Sequence, residues 1–132
     1  MAEVKPRVPT EEQEQITLFN WAAMMEYRYP ELRYMYHVPN GGYRNKAEAG
    51  RFKAQGVKSG VPDIVLPAAR GGYHGLYVEM KRTEGGRVSA EQREWMEALT
   101  AQGYKAEVAY GWDEARQIIE RYLDPDQQYC RG

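Results

Sequence analysis

The chain has 132 residues, the length of one domain, and its 42% hydrophobic share is compatible with a packed core. A formal net charge of −1 gives no global sign of a nucleic-acid or membrane-surface partner, and no apolar run is long enough to span a bilayer. The single cysteine, Cys130, excludes an intrachain disulfide framework or a cysteine zinc site and fits a reducing cytoplasm; the N-terminus lacks the basic-then-apolar pattern of a secretory signal.

Residues 1–9 carry prolines and mixed charges and are expected to form a loose arm. Thr10 is suited to cap a helix running to about Tyr27, with Ile16, Phe19, Ala22, Ala23 and Met25 at helical spacing and Pro30 as its stop. Glu11, Glu12 and Glu14 complement the positive end of that helix. The aromatic-rich run Arg33–Val38 reads as a first strand, followed by a turn at Pro39-Asn40-Gly41-Gly42. His37 and the nearby Asn40 invite comparison with a histidine-centred nuclease site. His74 is the other histidine and no partner spacing fits, so His37 is read as a strand-end residue. Asn45 to Gln55 reads as a second helix with Gly56 beyond its end.

Charge is unevenly distributed. Met1 to Glu31 holds six acids against three bases, whereas Arg44 to Lys58 holds five bases (Arg44, Lys46, Arg51, Lys53, Lys58) against Glu48 alone. A local patch of this kind can bind phosphates while the whole chain stays near neutral.

Gly60 to Lys81 contains two short apolar runs around a glycine-rich turn at Ala69-Arg70-Gly71-Gly72. The spacing predicts two antiparallel strands, with Pro62 at the start of the first. Alternation puts Glu79 and Lys81 on one face and Val78 and Met80 on the other, and pairing of the strands brings Asp63 near Glu79. After a turn at Glu84-Gly85-Gly86, Ser89-Ala90-Glu91-Gln92 matches a capping box opening a third helix, with Trp95, Met96 and Leu99 on its apolar face and Gly103 at its end. Tyr104–Tyr110 reads as a last strand, Trp112–Leu123 as a closing helix with Ala115, Ile118, Ile119 and Tyr122 apolar, and residues 124–132 as a flexible tail. The order α-β-α-β-β-α-β-α predicts an α/β fold, a mixed sheet flanked by helices.

Two acids and a lysine at one point suit a hard divalent cation such as Mg2+ or Mn2+, which takes one or two carboxylates and keeps several waters. Such an ion lowers the pKa of a bound water and neutralises a phosphate oxygen, and the lysine can orient the attacking water. An ordinary surface ion pair is the competing reading of Glu79 and Lys81 alone.

Pro62-Asp63 followed by Glu79-Met80-Lys81 resembles the PD-(D/E)xK nuclease signature. The wider set, Gly56-Val57-Lys58-Ser59-Gly60-Val61-Pro62-Asp63, Val78-Glu79-Met80-Lys81-Arg82 and Ser89-Ala90-Glu91-Gln92-Arg93, is similar to the virus-type replication-repair nuclease (VRR-NUC) domain. That resemblance spans about Thr10 to Leu123, here taken as the domain 10–123. It implies a restriction-endonuclease-like fold and metal-dependent hydrolysis of DNA phosphodiesters, with no small-molecule cofactor. It places Asp63 and Glu79 on the metal, with the Met80 or Val78 backbone carbonyl, and Lys81 on the attacking water. A first-helix glutamate joins the metal site: Glu11, whose spacing to Gln15 matches the family's Glu-x-x-x-Gln, with Glu14 as competitor. Gln92 falls at the active-site rim, and Asn40 and Arg44 on a substrate-facing loop; Lys46, Arg51, Lys53, Lys58 and Arg82 are assigned to DNA as well. Stand-alone domains of this kind resemble phage and prophage Holliday-junction resolvases, which implies a cytoplasmic homodimer acting on branched DNA. A nuclease acting on flaps, or a nucleic-acid-binding module without chemistry, are the alternatives.

Overall fold

The computed structural model describes residues 7–39 and 45–126. Helix α1 (Glu11–Met24) opens on a reciprocal capping box: the Thr10 hydroxyl accepts from the Gln13 N–H, and the Gln13 side chain accepts from the Thr10 N–H. Its inward face is Glu14, Leu18 and Ala22, with Phe19, Trp21 and Met25 alongside. Ile16 and Ala23, expected on that face, are exposed.

The first strand is shorter than its sequence predicts. Pro30–Tyr34 forms a 3-10 helix, and only Tyr36–His37 (β1) is extended. Pro30 sits at the start of the 3-10 turn, where its missing N–H costs nothing. Tyr29, Leu32 and Met35 recur every three residues, the period of that helix, and all three are buried. Tyr29 therefore belongs to the core.

Helix α2 (Lys46–Ala54) is capped by the Asn45 side chain and buries none of its residues. β2 (Ile64–Leu66) pairs antiparallel with β3 (Leu76–Lys81), as the short glycine turn between them requires, and antiparallel with β1 on its other edge. Helix α3 (Ala90–Ala101) then crosses over to β4 (Lys105–Tyr110), which lies parallel to β3. Helix α4 (Trp112–Leu123) closes the fold. The four-stranded mixed sheet runs β1-β2-β3-β4.

α1 and α4 pack together against β3, and α4 also covers β4. Leu76, Val78 and Met80 of β3 meet Leu18, Ile118 and Ile119 in one apolar core. Because side chains alternate along a strand, Tyr77, Glu79 and Lys81 face the other way. No helix among the described residues is long and apolar enough to cross a membrane.

Candidate active site

The register that pairs Ile64 with Val78 sets Asp63 across from Glu79, just beyond the last residue of the β2 ladder. The loop into β2 has one conformationally demanding position. Gly60 has φ +88°, and a Cβ there would stand 2.9 Å from Cβ of Glu91. Glycine lets this loop press against the first turn of α3, where Ser59 Oγ donates to Glu91 Oε2. Pro62 follows, fully buried.

Asp63 is held from two directions. Its Oδ2 accepts the Met80 N–H at 2.8 Å. Its backbone carbonyl accepts from the Val38 N–H at 2.7 Å and from His37 Nδ1 at 2.9 Å. His37 is thus a strand-end residue that fixes the Asp63 backbone, a role its sequence context did not reveal. In an extended strand the N–H and C=O of one residue point to the same edge. The Met80 carbonyl therefore faces the Asp63 side.

Glu79 is only 2% exposed. Its Oε1 accepts from Gln92 Nε2 at 2.8 Å and lies 3.7 Å from Lys81 Nζ. Its Oε2 is buried without a hydrogen-bond partner. Burial, then the charge of Asp63, push its pKa up from 4.5 to about 8; Lys81 opposes the rise, and Glu11 adds to it. An orphaned buried carboxylate oxygen beside a second carboxylate is the donor set a hard divalent cation takes. Among the described residues no three His, Cys, Asp or Glu side chains form a ready cage. The arrangement fits an ion held by few protein oxygens and completed by water.

Gln92 serves two partners at once. Its Oε1 completes the capping box with the Ser89 N–H at 2.8 Å, and its Nε2 reaches Glu79. The cap fixes the side chain, and the free amide end orients the acid.

The two first-helix glutamates differ in placement. Glu14 is buried, and its Oε2 accepts the Trp112 N–H at the start of α4. Gly111, which precedes that helix, has no side chain to cap it, and a Cβ there would lie 3.1 Å from Glu14 Oε2 and 2.6 Å from Thr83 Cγ2. Glu14 thus acts as a helix cap supplied from another element. The Gly111 N–H in turn donates to the Lys81 carbonyl at 2.9 Å, which ties this junction to the end of β3. Glu11 is exposed, and its charge reaches Glu79.

Lys46, Arg51, Lys53, Lys58 and Arg82 are exposed. Asn40 and Arg44 lie outside the described residues, as does Cys130.

The VRR-NUC domain family matches residues 10–113 of the chain. A solved structure of a VRR_NUC domain protein shares the fold with a TM-score of 0.78, at 34% identity over 89% of this chain and 91% of that one. No curated protein matches the chain.

Proposed function

The chain belongs to the VRR-NUC family, a nuclease-type domain, and from that premise we propose that it is a divalent-metal-dependent endonuclease that hydrolyses phosphodiester bonds of branched DNA. The observation that carries this reading is the pairing of Asp63 with Glu79, whose buried Oε2 has no partner, beside Lys81. Asp63 and Glu79, with the Met80 carbonyl and Glu11, would hold Mg2+ or Mn2+. Such an ion supplies a water of lowered pKa and neutralises charge on the phosphate.

The other residues act around that point. Lys81 orients the attacking water and stabilises the charge that develops on the phosphate oxygens. Gln92 holds Glu79 in one rotamer, and His37 with Val38 anchors Asp63. The exposed bases of α2, with Lys58 and Arg82, contact the phosphate backbone.

Symmetric resolution of a four-way junction needs two such sites related by a two-fold axis, so we assign the working unit to a homodimer. Tyr27, Tyr34 and Tyr36 are 83%, 65% and 51% exposed and supply the kind of aromatic surface that subunits bury.

A cleavage panel over junction, flap, duplex and single-stranded DNA tests the reading. Asp63→Ala should abolish cleavage in Mg2+, and full cleavage by that variant would remove the metal assignment. Lys81→Met should cut at least about 10²-fold more slowly while still binding DNA. Retained cleavage would favour a module whose chemistry lies elsewhere. Light scattering of the same protein should give twice the 15.3 kDa chain mass.

A further inference from the structure

A cleft of about 880 Å³ separates α2 from α3, walled by Phe52, Val57, Trp95 and Ala98. It continues into an apolar recess of about 640 Å³ that shares Phe52, Val57 and Trp95 and reaches Val38 and Val61. We propose that this cleft is a nucleobase subsite, holding an unpaired base of the DNA strand next to the bond that is cut. The proposal rests on the nuclease reading above and sharpens its substrate to branches at which a base is unpaired, at a flap or at an opened crossover of a junction.

Three observations carry it. The first is position. Trp95 follows Gln92 by three residues, about 4.5 Å along the axis, and Gln92 is bonded to Glu79. Val61 precedes Asp63 by two residues on the opposite wall. With the phosphate of the cut bond at the two acids, a nucleotide next to it is the one that reaches the cleft.

The second is chemistry. Two bases, Lys53 and Lys58, and two acids, Glu91 and Glu94, line the cleft, so their formal charges cancel. A bare phosphate gains little inside the cleft, so Lys53 and Lys58 meet the backbone only at its rim. A flat aromatic ring gains contact with the indole and phenyl groups, and its edges offer both acceptors for lysine and donors for carboxylate. The third is geometry at the mouth. Ser59 holds Glu91 against the loop into β2, which keeps the α3 wall and the acid-bearing strand in fixed relation.

Trp95 lines the cleft and has no part in holding the metal or the water, so its removal can be read apart from catalysis. The test uses the Lys81→Met protein, which is expected to bind without cutting, and flap or gapped DNA with 2-aminopurine at the unpaired position. Binding should quench the 2-aminopurine. Adding Trp95→Ala should weaken binding to that DNA about ten- to hundredfold and leave affinity for a fully paired duplex within about twofold. Ala98→Trp, which fills the cleft and keeps Trp95, should give the same selective loss and guards against a folding defect in the first variant. Equal losses on paired and unpaired DNA, or no loss with either variant, would overturn the proposal while leaving the nuclease reading intact. A fall in self-association with DNA binding unchanged would give the cleft to a second copy of the chain and also overturn it. Failure of the Lys81→Met protein to bind any DNA, together with no cleavage by the natural chain, would instead remove the nuclease reading itself.

Discussion

Both faces of β3 are largely shielded from water, yet they do opposite work. Leu76, Val78 and Met80 are 0%, 0% and 1% exposed and sit among apolar neighbours. Glu79 and Lys81, on alternate positions of the same strand, are 2% and 8% exposed. Burying apolar surface stabilises by about 25 cal/mol per Å². Burying a carboxylate with an unpartnered oxygen costs about 1–3 kcal/mol or more. One strand thus carries the fold on one side and a liability on the other. The apolar face keeps the polar face in place, so changes to the two should separate stability from activity.

The largest effect is expected on the apolar face. Leu76→Ala should lower unfolding stability by about 2–5 kcal/mol, read as a drop in the urea midpoint at unchanged slope. A loss below about 1 kcal/mol would mean that the core closes over the gap and that the contrast between faces is overstated.

The polar face should respond to pH. The Glu79 pKa rises from 4.5 to about 8 on folding. Below 4.5 the carboxyl is protonated folded or unfolded, and no difference arises. Between the two values folding must take up a proton, so stability of the metal-free protein falls as pH rises. Above about 8 the penalty is complete. Glu79→Gln should remove this slope and stabilise the metal-free protein near neutral pH by an amount on the order of a few kcal/mol. Added Mg2+ should stabilise the natural chain more as pH approaches about 8, and the glutamine variant much less. Parallel melting curves of the two metal-free proteins across this window would sink the account of Glu79.

The smallest effect joins the faces. Glu14→Ala should cost about 1–2 kcal/mol by uncapping α4, and Glu14→Gln, which keeps an acceptor, should recover part of it. Thermal melts of the three proteins check this, and equal stability of all three would deny the cap.

What the sequence made legible follows a physical rule: local chemistry reads well and distant partnerships do not. Ser89 and Gln92 announce their helix because both ends of the capping box lie within one turn. The hairpin was readable because a short glycine turn allows one pairing direction, which fixes Asp63 across from Glu79. The closing helix Trp112–Leu123 was readable from its apolar spacing. Arg33 and Tyr34 misled, since aromatic residues favour strands but Pro30 starts a 3-10 turn that buries Tyr29, Leu32 and Met35. Ile16 looked like core and faces outward, because the neighbouring α4 meets α1 along Leu18 and Ala22. Glu14 looked like a dipole-complementing acid of its own helix. Nothing within a few residues tells that its oxygen belongs to Trp112.

That bond spans 98 positions of the chain. On a ribosome α1 emerges well before α4, with the rest of the sheet and its helices made between them. The first turn of α4 has no cap of its own, so its exposed N–H group waits on a carboxylate made long before. The link is among the most non-local in the molecule, and contacts of such separation close late because the entropy of the intervening loop must be overcome first. The end of β3 that carries Lys81 is bonded to this same junction. The candidate site therefore reaches its final arrangement only when α1 and α4 have met, and a nascent chain that stops short of α4 should hold the acids of the hairpin without a firmly placed lysine.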